Sequence, residues 1–258
     1  MFIRRFRCNF AAAMTKSMYN TMLELPLFQG LGQNDLTRIV ESTHLDFRSA
    51  MNGRTLFRQG DLCEGLTFVI EGSFTVITTS ADGTWQVEEM LEAPAVIGLD
   101  VLYGSQRTYR RTYVARQTSR LVFLTKQSVS AFIRFFDVFR INVMNMLTTQ
   151  AVRTDAPHWL PGEKTLEGRI VHFLLTHVSR PAGPKRFLIS QHQLGRYLGV
   201  APRYISAALH NMHEHKLLRA ERRAIEVDAF ENLLRDFRYF KNEIPQSEPP
   251  TEDGMLPF

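Results

Sequence analysis

Residues 190–218 read SQHQLGRYLGVAPRYISAALHNMHEHKLL. Ser190 followed three positions on by Gln193 has the form of a capping box, which predicts a short helix running through Leu194 and Tyr197 to Leu198. Gly199 then supplies a tight turn, and Pro202 suits the first turn of a second helix. On that second helix the spacing turns Ile205, Ala208, Leu209 and Met212 inward and leaves Arg203, Tyr204, Ser206, Ala207 and His210 outside. Two brief strands are predicted next, at 217–219 and 224–227, around Glu221, Arg222 and Arg223. Helix, short turn, helix and wing is an arrangement that lets the second helix enter a major groove with its N-terminal residues against base edges.

The charge sits on the same segment. Between Lys185 and Arg223 eight basic residues (Lys185, Arg186, Arg196, Arg203, Lys216, Arg219, Arg222 and Arg223) face two acids, Glu214 and Glu221, a balance of +6. The whole chain has 31 Lys and Arg against 26 Asp and Glu, or +5, so everything outside the segment nets −1. Basic residues on a small helical domain are often only its solvated face. Here they coincide with the cap, the turn and the wing, and the combination points to a polyanion, double-stranded DNA. The expected contacts are Gln191, Gln193, Ala201, Pro202, Arg203, Tyr204, Ser206, Ala207 and His210, with Arg222 and Arg223 on the wing.

Upstream, the pattern from Leu45 to Leu124 is one of short alternating runs (TLFRQG, LTFVIEG, SFTVITTS, RLVFL) punctuated by Gly60, Gly65, Gly72, Asp82-Gly83 and Gly98, which predicts a small barrel or roll. Entry helices precede it, with Asn34 and Asp35 as candidate caps. After Lys126 the period turns helical for a long stretch containing Val129, Phe132, Phe136, Phe139, Ile141, Met144, Leu147 and Val152. One neighbouring domain cannot cover that much apolar surface, so either the helix is buried within its own chain or, as we expect, it pairs with a second copy along a coiled-coil-like seam. Pro157 and Pro161 mark a hinge, a helix is predicted from Lys164 to Val178, and RPAGPKRF (180–187) reads as a loop.

Other chemistries find no residues. The chain shows no His-Glu-x-x-His, Walker loop or Gly-x-Ser-x-Gly, so it is not expected to be an enzyme. Cys8 and Cys63 are the only cysteines among 258 residues, too few for an iron–sulfur cluster or a disulfide framework, and they fit a reduced cytoplasmic setting. His44 is read as a surface or capping residue. No run is apolar enough to span a bilayer, so no membrane partner is expected. The first residues, MFIRRFRCNFAAAM, weakly suggest a secretion signal, and Met14 or Met18 is the more natural start.

The order of these parts resembles the cyclic-AMP receptor / fumarate-nitrate regulator (Crp/Fnr) family. The match is carried by GDLCEGLTFVIEGSFTV (60–76), AVIGLDVLYG (95–104), the long helix, LEGRIVHFLL (166–175) and QHQLGRYLGVAPRYISAALHNM (191–212). The resemblance implies an α+β chain: an N-terminal double-stranded β-helix (jelly-roll-like) sensor domain, a long dimerisation helix and a C-terminal winged helix-turn-helix. The expected boundaries are an untranslated or disordered extension at 1–18, the roll at 19–126, dimerisation helix and hinge at 127–156, the DNA-binding domain at 157–241 and a flexible tail at 242–258. A homodimer on a near-palindromic site is implied, and RNA polymerase as partner should the protein activate.

The chain also departs from that family. Members that bind cyclic nucleotides follow the phosphate-cassette glycine with a glutamate and hold the phosphate with an Arg-Ser or Arg-Thr pair. Here Gly98 is followed by Leu99 and Asp100, and Arg111-Thr112 matches the pair only after a one-residue shift, with Arg110 competing. Residues 101–120 nonetheless carry Arg107, Arg110, Arg111, Arg116 and Arg120 and no acid. A small anionic effector is therefore expected at Gly98, Leu99, Asp100, Arg110, Arg111 and Thr112, rather than a cyclic nucleotide. In the recognition helix, Pro202, Arg203, Tyr204 and Ala207 stand where members often have Arg-Glu-Thr and a further arginine. A guanine contact through Arg203 is expected, on a target other than the usual one. The alternative is an effector-binding interaction module whose helix-turn-helix has lost DNA.

Overall fold

The computed structural model describes residues 20–43, 45–159 and 163–243. The N-terminal extension, His44, Pro161 and the tail beyond residue 243 lie outside the described residues. Contacts divide the chain into two units, one made of the chain up to Phe74 with Leu91–Thr149, the other of Thr75–Met90 with the chain from Gln150 onward.

The first unit is the β-roll. Helix α1 (Gln33–Ser42) leads into it and buries Leu36 and Ile39. Its N-cap is Gly32, with no side-chain cap bond, so Asn34 and Asp35 are not caps. Both lie inside the first turn, where the Asp35 carboxylate still meets the positive end of the helix dipole. Strands β1 (Asp46–Ala50), β2 (Thr55–Phe57) and β3 (Gly65–Glu71) follow, then β4 (Ser73–Thr79) and β5 (Gln86–Glu92), of which residues 75–90 group with the second unit, and β6 (Ala95–Ile97), β7 (Thr112–Ala115) and β8 (Ser119–Thr125). One antiparallel sheet runs β1-β8-β3-β6, with Phe68 opposite Val122 and Val96, and β2 pairs with β7. Residues 65–69 of β3 are buried in succession, as expected of a central strand covered on both faces.

The expected single long helix is two. Helix α2 (Lys126–Phe135) starts where the Thr125 hydroxyl accepts from the Ser128 amide and stops at Phe136, whose backbone is extended at φ −124° and ψ 102°. Helix α3 (Asp137–Asp155) then begins with an acid in its first turn. The break lets Phe136 and Phe139 both turn inward beside Phe132, which packs edge-on against each at 5.9 Å and 5.5 Å. Phe28 completes this cluster, edge-to-face with Phe68 and Phe139 at 5.2 Å each. The Asn142 amide bridges the carbonyls of Leu27 and Gln29 and fixes α3 against the entry segment.

Besides residues 75–90 and the end of α3, the second unit has a 3₁₀ turn (Ala156–Trp159) and helices α4 (Leu166–Thr176), α5 (Gln191–Leu198), α6 (Pro202–Glu214) and α7 (Phe230–Glu243). Its short strands are β9 (Lys185–Leu188), β10 (Arg219–Ala220) and β11 (Ile225–Val227). Helix α7 carries ordered chain past the expected start of the tail at residue 242. The stretch 180–187, expected to be a loop throughout, ends in β9. That strand pairs with β11 on one side and β5 on the other, Val87 opposite Phe187 and Glu89 opposite Lys185. The core holds Phe187, Leu194, Ile205, Leu209, Met212 and Phe230, together with Trp85 and Val87 from the β4–β5 hairpin.

Candidate nucleic-acid interface and effector site

The capping box forms as the sequence requires. The Ser190 hydroxyl accepts from the Gln193 amide at 3.2 Å, while Gln193 Oε1 accepts from the Ser190 amide at 2.9 Å. A cap of this kind stabilises a helix by about 1 kcal/mol. Helix α5 ends at Gly199, in the left-handed region at φ 64° and ψ 34°, where a glycine is free of the Cβ clash. Gly195 permits the tightness of the turn, since a Cβ there would stand 2.6 Å from the Val200 carbonyl oxygen.

Helix α6 buries Ile205, Ala208, Leu209 and Met212 and exposes Arg203, Ser206, Ala207 and His210, with Pro202, Tyr204 and Ala201 half-buried at its start. Arg203 lies over the Tyr204 ring at 4.7 Å and donates to its hydroxyl at 3.0 Å. Arg222 and Arg223 are exposed on the wing between β10 and β11. Gln191 is half-buried at the first position of α5. Gln193 is engaged at both ends, its Nε2 donating to the Thr84 carbonyl at 2.8 Å.

The charge of the segment is partly spent within the unit. Lys185 is buried against Glu89 at 3.4 Å, Arg186 meets Glu226 at 3.0 Å and Glu88 at 3.8 Å, and Arg219 bridges Glu226 and Asp228. Arg196, Arg203, Lys216, Arg222 and Arg223 are exposed and make no ion pair with a described residue.

Near the end of β6, Gly98 and Leu99 are buried and Asp100 half-buried. Arg111 is the arginine that meets this turn: it reaches the Asp100 carboxylate at 3.5 Å, and its Nε is buried without a hydrogen-bond partner among the described residues. Arg110 is exposed, and Thr112 accepts from the Gln59 amide. Of the other arginines, Arg120 is held by Glu71, while Arg107 and Arg116 are exposed. Sequence reasoning missed what surrounds Arg111. Tyr109 stacks on Phe57 at 4.2 Å, and burial pushes the Tyr113 hydroxyl up to about 12, with the Arg111 charge opposing. The Cys63 thiol donates to the carbonyls of Gly65 and Gly98, and burial raises its pKa. No spacing in the sequence announces these partners.

His177 packs among Trp85 and Phe173, with Nδ1 2.7 Å from the Phe173 carbonyl oxygen and 3.0 Å from the Thr176 hydroxyl. Burial holds its pKa below the ordinary value, and the charges of His158 and His172 act in the same direction. The folded unit therefore prefers the neutral ring, and the unfolded chain takes up the proton first as pH falls. That stability is present above the unfolded pKa of about 6.5 and is lost as pH falls from there through the lower folded value. Thermal unfolding followed at stepwise lower pH is expected to show Tm falling, and falling less in His177→Gln.

A glycine-turned roll and a capped helix-turn-helix with a basic wing in one chain define a class of regulator with an effector-type domain and a DNA-binding domain. The chain belongs to the Crp/Fnr family of transcription regulators: residues 47–134 match the cyclic nucleotide-binding domain, and 168–235 match the Crp-like helix-turn-helix domain. It is 24% identical over 203 residues to the cyclic AMP receptor protein of Thermus thermophilus, covering 78% of this chain and 92% of that one. To the transcriptional activator protein FnrA of Stutzerimonas stutzeri it is 23% identical over 186 residues, 70% of this chain and 75% of the relative. Among solved structures, the Thermus thermophilus catabolite activator protein superposes with a TM-score of 0.49 at 22% identity, covering 81% of this chain and 97% of that one. Among the described residues no helix is long and apolar enough to cross a membrane.

Proposed function

We propose that this chain is a homodimeric, sequence-specific DNA-binding regulator of the cytoplasm, without catalytic activity, governed by a small anionic effector in the roll. Residues 19–126 serve as the sensor, 127–156 as dimerisation helix and hinge, and 157–241 as the DNA-binding domain. The observation that carries the reading is the start of α6, which presents Arg203, Ser206, Ala207 and His210 outward from a fully packed inner face. In a major groove these residues, with Pro202 and Tyr204, lie against base edges. Gln191, Ala201, Arg222 and Arg223 meet the phosphate backbone, and Gln193 serves by holding α5.

Dimerisation follows from α3. Ile141, Met144 and Val152 are 52%, 58% and 66% exposed at spacings of three and eight residues, which places them along one side of the helix. A second copy covers such a stripe and sets two recognition helices about one DNA turn apart on a near-palindromic site.

Arg111 supports the effector half, because a half-buried guanidinium whose Nε has no hydrogen-bond partner among the described residues can take an anion as a fork. Asp100 already holds one arm of it and stands near the turn where nucleotide-binding relatives place a glutamate, which favours a small anion over a cyclic nucleotide. Calorimetric titration with cyclic nucleotides and small organic phosphates tests this half, and absence of heat with all of them removes it.

The DNA reading is tested by selecting bound fragments from random sequences and measuring affinity at two salt concentrations, where binding is expected to weaken steeply with salt. Arg203→Ala is expected to weaken the selected site by about 1–3 kcal/mol and to relax its sequence preference. Equal loss on selected and random DNA would restrict Arg203 to phosphate, and failure of the wild type to bind any DNA would end the reading.

A further inference from the structure

The β4–β5 hairpin lies in the stretch that matches the cyclic nucleotide-binding domain, yet residues 75–90 group with the winged-helix unit. Three independent contacts tie it there. Strand β5 pairs with β9 over four residues, from Gln86 opposite Leu188 to Glu89 opposite Lys185. The Glu89 carboxylate accepts from the Ser179 hydroxyl at 2.5 Å, from the Ser179 and Arg180 amides and from Lys185, which anchors the hairpin to the loop before β9. At the tip, Trp85 is 6% exposed and packs edge-on against Phe173, His177 and Tyr197 at 5.6, 4.7 and 6.1 Å.

The tip is itself stiff. Asp82 accepts from the Ser80 hydroxyl at 2.7 Å and from the Thr84 hydroxyl at 2.8 Å, and the Ser80 amide donates to the Trp85 carbonyl. A tryptophan beside an exposed Asp-Gly turn would otherwise stand in water. Both contacts the tip makes with α5, Trp85 on Tyr197 and the Thr84 carbonyl on Gln193, land on the helix that precedes the recognition helix. Gln193 thus caps α5 with its oxygen and moors it to the hairpin with its nitrogen.

We propose that the β4–β5 hairpin is a structural part of the DNA-binding unit, with Thr84 and Trp85 as positioning residues that hold α5, and through the tight Gly195–Val200 turn α6, in groove-competent geometry. The inference rests on the reading of α5 and α6 as the DNA-binding elements. Its physical content is that α5, at eight residues, is too short to hold its place by helix propensity and depends on tertiary contacts. The indole Nε1 has no hydrogen-bond partner among the described residues, so a phenylalanine keeps the apolar contact without losing a bond.

The test compares full-length wild type, Trp85→Ala and Trp85→Phe. Amide hydrogen exchange across α5 is the first readout and needs no DNA. Exchange is expected to rise by about tenfold or more in Trp85→Ala, to stay near wild type in Trp85→Phe, and to remain unchanged across α2. Affinity for the fragment that the wild type selects from random DNA is the second readout, expected to fall about tenfold in Trp85→Ala and to be largely kept in Trp85→Phe. Should Trp85→Ala not fold, Trp85→Leu, which keeps some apolar volume but loses the ring contacts with Phe173, His177 and Tyr197, is read the same way. Wild-type exchange across α5 in the alanine or leucine variant overturns the proposal. A wild type that selects no DNA defeats the DNA-binding reading instead, while the exchange data still decide whether the hairpin positions α5.

Discussion

Glu89→Leu is expected to lower the unfolding free energy by about 3–5 kcal/mol, the cost of leaving a buried charge without its partner. Glu89 and Lys185 have side chains 3% and 2% exposed, so Lys185 would keep the Ala182 carbonyl as its hydrogen-bond acceptor among the described residues and only the more distant Glu231 charge to offset its burial, with Arg180 opposing. Burial already holds the Lys185 pKa below its ordinary value even with the Glu89 charge beside it opposing. The double variant Glu89→Leu with Lys185→Met removes both charges and is expected to recover much of the loss, because a buried ion pair seldom outperforms apolar residues of similar size. Denaturant unfolding of the three proteins checks this. A double variant as unstable as the single one would mean that the hydrogen bonds of Glu89 to Ser179 and Arg180 carry the stability.

Phe28→Ala is expected to cost about 3–5 kcal/mol in the first unit. Its ring is 1% exposed and meets Phe68 of the roll, Phe132 of α2 and Phe139 of α3, so truncation opens a cavity that three separate elements would have to close. Phe28→Leu, which restores most of the volume, is expected to recover more than half of that loss in the same unfolding experiment. A loss below about 1 kcal/mol for the alanine variant would show instead that the cluster collapses around the gap.

Elements with local chemistry were legible. Ser190, Gln193, Gly199 and Pro202 define two helices and a turn through bonds and backbone angles spanning at most four residues, so neighbours in sequence suffice to read them. The roll was legible from alternating runs between glycines. Strand β9 was not, because Pro181, Gly183 and Pro184 argue for a loop and the strand exists through partners about 40 and 100 residues away. The break at Phe136 escaped for a related reason: an unbroken helical period fits the sequence, and only the packing of Phe132, Phe136 and Phe139 requires the extended residue. In the candidate effector site, the choice between Arg110 and Arg111 depended on which side of one strand end faces Asp100. For Gln193, the sequence indicated an outward DNA contact beside its cap, and the carbonyl that takes its amide lies 109 positions earlier.

Of the eight cations between Lys185 and Arg223, three are matched inside the fold by Glu88, Glu89, Glu226 and Asp228. The ion atmosphere of a polyanion responds only to cations that can approach it, so the number of counterions this segment could displace is governed by the other five rather than by all eight. Composition overstates the pull of this domain on nucleic acid, and the acids responsible lie in two hairpins, one of them far back in the sequence.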